Sequence, residues 1–275
     1  MDPRSVDAAS GLAWFKGGIA LVQANPVPLL VIALLFVIGT SALSLVPVLG
    51  TLAVALLVPV LGGGYMVALH EEHEGRGAQI EHLFRGFQDN DRLVQLIILG
   101  IPAVLAGLVF VVLVVAMLGA AVIKVGISGV LGGSGSEATT IGIGALVAML
   151  LGFLVLLLAM ALVVFAVPRV MLDRMDAVGA MKESFAASLS NVGAMLVFGL
   201  LFVGALIALL VATVAVGWVP ILGQIAAFLA WAAFGIGWIA VSNAGVYLAW
   251  RDLWPQATAG SSSLLPATPP APPPG

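Results

Sequence analysis

The chain has 275 residues, 62% of them hydrophobic and 8% charged, against about 45–50% apolar and about 25% charged in an ordinary soluble domain. That balance excludes a soluble globular fold. A net charge of −3, from 10 Lys and Arg against 13 Asp and Glu, excludes the basic surface on which nucleic-acid binding depends, and zero cysteines exclude disulfides and thiolate chemistry. With a mean hydropathy of +1.21, the composition predicts an all-α polytopic membrane bundle.

Residues 1–26 read as a short charged start followed by a helix lying in the headgroup layer. Leu12, Phe15, Ile19 and Val22 recur at helical spacing while Lys16 and Gln23 fall on other faces, an amphipathic pattern suited to an interface. Met1-Asp2-Pro3-Arg4 lacks a basic segment running directly into an apolar core, so the first span is predicted to be retained rather than cleaved. Asn25 before Pro26 predicts a helix N-cap with proline at the first helical position.

A helix that crosses the hydrocarbon layer needs about 20 mainly apolar residues, and six such runs follow, at about 27–45, 51–69, 93–123, 141–167, 192–216 and 224–249, forming a transmembrane domain over 27–249. The first two are joined by the tight connection Val46-Pro47-Val48-Leu49-Gly50. After the second comes a charged stretch, His70-Glu71-Glu72-His73-Glu74, then Glu81 and His82. His70 and His73, three apart on a continuing helix, share a face on which a nearby Glu or His82 would complete a divalent-metal site. A solvated acidic helix end is the simpler reading, and the spacing departs from the four that a zincin needs.

Span three is predicted as one long tilted helix, followed by a Gly/Ser loop over Gly126 to Thr140. Asp173 to Ser190 reads as a second interfacial helix, with Lys182 near its middle and Asn191 as the cap of span five. Small residues at Ala226, Ala230, Ala233, Gly237, Ala240 and Ala244 predict a close left-handed crossing on span six. Residues 250–275 form a C-terminal segment whose Pro-rich, uncharged end is predicted to be disordered.

The distribution of Lys and Arg predicts orientation, since positive residues are retained on the cytoplasmic side. With both termini inside, nine of the ten fall inside and Lys124 alone outside; twelve of thirteen acids are also inside, Glu137 being the exception.

The chain also carries a parallel internal repeat. Lys16 and Asn25 are nine residues apart, as are Lys182 and Asn191. Val46-Pro47-Val48-Leu49-Gly50 matches Val219-Pro220-Ile221-Leu222-Gly223 at four of five positions, including Pro47 with Pro220 and Gly50 with Gly223. Beyond the turn, Gly62 pairs with Gly235, Gly64 with Gly237 and Tyr65 with Trp238. The offset changes by seven residues between the blocks, which two extra turns in span five would absorb.

No Asp, Glu, Lys, Arg or His lies within the six runs, which argues against an ion relay or intramembrane acid–base chemistry. No nucleotide loop, triad or cofactor motif is present, and no cofactor is expected. On the segments Gly11 to Asn25, Val46 to Gly50, Tyr65 to His70 and Val167 to Asn191, the chain resembles an uncharacterised family of bacterial six-span inner-membrane proteins, over residues 11 to 254. It is also distantly similar to the membrane domain accompanying some glycerophosphodiester phosphodiesterases. The resemblance implies a bacterial inner-membrane location and carries over no catalytic residue.

The leading expectation is a non-enzymatic membrane protein whose inner face contacts lipid headgroups or a cytoplasmic or membrane protein partner, with self-association as a further option. The alternative is a transporter or channel for a small solute. In this cysteine-free chain, a cysteine introduced at residue 80 should be labelled only after the inner face is opened, whereas one at 133 should react from outside intact cells; the reverse pattern would invert the topology.

Overall fold

The computed structural model describes residues 3–131 and 136–255, with side chains given outside 118 and 120–143. Eleven α-helices and one 3-10 turn occupy these residues, and no strand is found among them. They are α1 (Ala9–Ala24), α2 (Pro26–Ser44), α3 (Leu49–His73), the 3-10 turn Ile80–Phe84, α4 (Arg85–Gln88), α5 (Asn90–Ile98), α6 (Ile101–Leu131), α7 (Ser136–Val163), α8 (Ala166–Met171), α9 (Ala177–Ser190), α10 (Val192–Gly217) and α11 (Leu222–Leu253). Among the described residues, six stretches are long and apolar enough to cross a membrane: Pro26–Ser44, Leu49–His73, Asn90–Met117, Gly144–Met171, Val192–Gly217 and Leu222–Leu253. Only a helix satisfies every backbone polar group of such a run within the run itself.

Two spans depart from the predicted continuous helices. Span three is broken between α5 and α6, because Pro102 has no N–H to offer the preceding turn. At the break Gly100 sits so close to α3 that a Cβ there would lie 2.6 Å from the Ala55 carbonyl oxygen. Span four is broken between Val163 and Ala166, ahead of Pro168. The predicted Gly/Ser loop is also shorter than expected, since α6 continues to Leu131 and α7 starts at Ser136. The helix runs on through Gly126 and Gly129, each glycine costing only about 1 kcal/mol. The loop's remaining residues, 132–135, the side chains of Lys124 and Glu137, and the Pro-rich tail from 256 lie outside the described residues.

Both termini of the described chain meet at one end. The Arg4 N–H donates to the Leu253 carbonyl at 2.9 Å, Arg4 pairs with Asp252 at 3.8 Å, and Trp14 donates to the same carboxylate at 3.2 Å. We call this the terminal end and the opposite one the turn end. Burial is concentrated at the terminal end: Leu29 to Phe36 on α2, Pro59 to Leu69 on α3 and Ala240 to Leu253 on α11 form its core. Van der Waals packing, rather than hydrophobic drive, selects these contacts in lipid. α1 packs on α10 and α11 through Gly11, Trp14, Gly18 and Val22. A Cβ on Gly18 would lie 3.0 Å from the backbone of Gly245 and Val241. The face that touches protein thus combines two glycines with Trp14 and Val22, and of the predicted apolar stripe Val22 is buried while Leu12 stays 38% exposed.

The α11 stripe behaves likewise. Ala240 and Ala244 are buried, whereas Ala226 and Ala233, toward the turn end, are exposed.

The two turns share an unusual backbone. Val48 has φ 61° and ψ −62°, and Ile221 has φ 62° and ψ −63°. Each is the centre of a γ-turn of the rare, strained hand, closed by Leu49 N–H to Pro47 oxygen and Leu222 N–H to Pro220 oxygen, both 2.7 Å. Two residues on, a Cβ at Gly50 would fall 1.8 Å from the Leu43 carbonyl oxygen, and one at Gly223 2.1 Å from that of Val216. α10 has 26 residues and α2 has 19, a difference of seven. Val48→Gly should raise thermal stability in detergent, because it relieves about 1–3 kcal/mol of backbone strain at an entropic cost of about 0.5–1 kcal/mol. Gly50→Ala should lower it by about 1–3 kcal/mol through overpacking; the opposite order of melting temperatures would contradict the turn geometry.

Candidate functional site

Charged and hydrogen-bonding side chains gather at the terminal end, where the spans break or finish. α8 is buried along its whole length, including Arg169 at 3% exposure. A buried guanidinium is tolerated only with close partners. Arg169 pairs with Asp173 at 2.6 Å and with Glu183 of α9, and lies 4.9 Å from the Trp254 ring centroid. Trp250 of α11 donates to Asp173 at 3.0 Å. Burial pushes the Asp173 carboxyl above its ordinary value, with Arg169 and the Trp250 N–H acting in the opposite direction. One arginine thus ties span four, the helix α9 and the end of span six together.

The break ahead of Pro168 makes this possible, and a hydroxyl completes it. Ser184 accepts a hydrogen bond from the Phe165 N–H at 3.1 Å and donates to the Ala161 carbonyl at 2.8 Å. It stands where the helix would have had a direct bond between those two backbone groups, a recognised cause of a bend. Ser188 donates to the same carbonyl at 3.3 Å. Gln95 of α5 accepts from the first N–H of α9, at Ala177, at 2.7 Å.

Between α5 and the α8–α9 connection lies a cavity of about 470 Å³. Its polar lining is Asp89, Asp91, Arg92, Gln95, Arg174 and Asp176, and its apolar lining is Val94, Val170 and Met175. Arg92 bonds the Met171 carbonyl at 2.8 Å and Asp89 at 3.1 Å, while Asp176 caps α9 through the Gly179 N–H at 2.8 Å. Arg174 has φ 58°, the left-handed conformation with which helices such as α8 commonly end.

Two of the three histidines lie against Tyr247, and the third is elsewhere. The His70 Nδ1 lies 3.2 Å from the Tyr247 hydroxyl, and the His73 ring lies 5.9 Å from that of Tyr247. His82 is buried, and its Nδ1 accepts the Gln79 N–H at 3.2 Å, capping the 3-10 turn. Among the described residues no group of three His, Asp or Glu is arranged to hold a metal ion, so the shared site on His70, His73 and His82 does not assemble. The acidic helix end is exposed at His73 and Glu74 and tied down beside them: Glu72 accepts from Asn25 at 2.9 Å and from the Ala78 N–H at 2.8 Å, and Glu71 pairs with Arg76 at 2.6 Å.

The repeated residues divide in the same way. Asn25 and Asn191 occupy N-cap positions, but neither side chain caps its helix. Asn25 reaches Glu72, and Asn191 accepts from the Val6 N–H at 2.8 Å and donates to the Arg4 carbonyl at 3.1 Å. Each is a tertiary clasp where a local cap was predicted. Lys16 and Lys182 are exposed. A Cβ on Gly64 would lie 2.0 Å from the Leu83 carbonyl oxygen, while Gly62 meets only Val167 loosely and Gly235 and Gly237 have no neighbour within 4 Å. Tyr65 donates to the Leu29 carbonyl at 2.8 Å, whereas Trp238 stacks in an aromatic group with Phe202 and Phe234. Small polar groups inside the spans turn back on their own helices, as Thr40, Ser44, Thr213, Ser242 and Asn243 do.

A protein of Burkholderia thailandensis described as a probable inner membrane protein is 30% identical to this chain over 89 residues. The matched stretch is 32% of this chain and 33% of that protein, so it spans about a third of each. No family model matches the chain, and no solved structure does.

Two outcomes follow for this end of the molecule. Ser184→Ala should cost about 1–3 kcal/mol of unfolding free energy in detergent, the penalty for leaving buried backbone groups unpaired, and an unchanged melting temperature would refute the inserted-hydroxyl bend. Burial holds the His82 imidazole below its ordinary value of 6.5. The folded state therefore resists a proton that the unfolded state accepts, and the stability this confers is complete above pH 6.5 and is lost as pH falls below it. Protection factors over 79–84, taken relative to the intrinsic exchange rate at each pH, should fall on acidification from neutrality, and His82→Gln should remove that dependence.

Proposed function

We propose that this chain is a non-enzymatic, multi-pass inner-membrane protein whose terminal end faces the cytoplasm and rests on lipid headgroups. The observation that carries the reading is the engagement of charge at that end. Arg169, Asp173, Glu183, Glu72 and Asn191 hold helices together, while α1 and α9 offer their exposed Lys16 and Lys182 at the ends of the spans. Such cations are suited to phosphate-bearing headgroups. The cytoplasmic orientation is supported by the nine-to-one Lys and Arg split, and the inner-membrane location by the name of the Burkholderia protein. A duplicated unit of interfacial helix, span, turn and returning span is supported by the matching γ-turns and by the seven-residue difference between α10 and α2. The likeness to the membrane domain accompanying some glycerophosphodiester phosphodiesterases rests on the sequence segments alone.

The test places a bimane label at Leu12→Cys or Val178→Cys, exposed positions on α1 and α9, with the full chain in nanodiscs. Quenchers attached to lipid headgroups should dim both labels more than quenchers at the acyl-chain ends. Equal or inverted quenching would overturn the interfacial placement.

A further inference from the structure

The cavity between α5 and the α8–α9 connection is lined by charged side chains of both signs. It sits where the third candidate span begins, at Asn90, and where the fourth ends, at Met171, which is the depth of the headgroup layer for helices of this length. Its volume of about 470 Å³ lies within the about 300–1,000 Å³ of small-molecule sites. Two guanidinium groups, Arg92 and Arg174, face it together with three carboxylates, Asp89, Asp91 and Asp176. An anionic ligand would meet the carboxylates with no cation of its own to satisfy them, and a cationic one would meet the guanidinium groups likewise. A ligand carrying both signs satisfies both.

The engagement of these groups sharpens the choice. Asp89 caps α5 and pairs with Arg92, Asp176 caps α9, and Arg92 also donates to the Met171 carbonyl, so these three are partly used. Asp91 and Arg174 have no hydrogen-bond or ion-pair partner among the described residues. Val94, 55% exposed, and the neighbouring Val170 and Met175 give the same cavity an apolar wall. A charged mouth of both signs beside an apolar wall at a span end fits a lipid better than a free solute.

We propose that this cavity seats the headgroup of one zwitterionic phospholipid, its phosphate on Arg92 and Arg174 and its ammonium on the aspartates. The proposal rests on the headgroup-facing reading above and names the lipid class. Guanidinium is suited to phosphate because its fork of donors matches the oxyanion geometry, and the carboxylates accept from the three N–H groups of a primary ammonium.

The experiment is native mass spectrometry of the full chain released from nanodiscs containing phosphatidylethanolamine and phosphatidylglycerol in equal amounts. One phosphatidylethanolamine should be retained per chain, favoured over phosphatidylglycerol by about tenfold, the ratio that 1.4 kcal/mol confers. Arg174→Gly, which suits the left-handed backbone there, and Asp91→Asn should each reduce retention about tenfold without lowering the melting temperature. Equal retention of the two lipids, or variants that retain phosphatidylethanolamine as the parent does, would overturn the proposal. So would binding of free phosphoethanolamine to the chain in phosphatidylglycerol nanodiscs with abolition by Arg174→Gly, which would assign the cavity to a soluble ligand. The bimane quenching at 12 and 178 persists if only the lipid selectivity fails and is lost if the interfacial placement fails.

Discussion

A buried guanidinium needs its charge answered on the spot, and Arg169 sets the terms for the terminal end of this molecule. Its two carboxylates come from its own helix end and from α9, and its aromatic neighbour from beyond α11. Removing one partner from such a group leaves uncompensated charge in a poor solvent. The arrangement is therefore a joint that holds the fourth span, α9 and the end of the sixth span in one geometry. The bend that delivers Arg169 to this place is made by Pro168 and stabilised by Ser184, whose hydroxyl replaces a lost backbone hydrogen bond. In hydrocarbon that replacement matters more than in water, because no solvent stands ready to take the freed groups.

The two ends of the molecule follow different rules. At the terminal end, polar side chains cross between helices, and small residues let α1 lie directly on α11. At the turn end, two strained γ-turns close hairpins with little burial around them. Strain of this kind persists only when the surroundings over-determine it. Here the constraint is local: proline before the turn centre and a glycine two residues beyond it, packed on the carbonyl of the preceding helix.

Much of this architecture is legible in composition, and the parts that are not share one physical reason. Six apolar runs identify the spans because length and hydropathy are local properties. The breaks at Pro102 and Pro168 are harder to read, because Pro59 lies inside an uninterrupted α3; proline alone does not separate a break from a tolerated kink. Asn25 and Asn191 look like caps by their neighbours, yet their partners lie 47 and 185 positions away. Likewise His70 and His73 are close in sequence, but Tyr247, which both face, is on another span. Gly64 and Gly237 occupy matching places in the repeated segments, and only the first has backbone pressed against it. Arg169, Ser184 and the Arg174 cavity carry no local motif at all; the one available signal for Arg169 was its position immediately after Pro168 at the end of a span.

The claim on which the account turns is that charge at the terminal end binds helices to one another. A double-mutant cycle on Arg169→Gln and Glu183→Gln, read by reversible unfolding of the full chain in detergent, addresses it directly. The account predicts that the two substitutions are coupled by more than about 1 kcal/mol, within the range of residues in one network. Additivity within about 0.3–0.5 kcal/mol, the behaviour of independent sites, would contradict it.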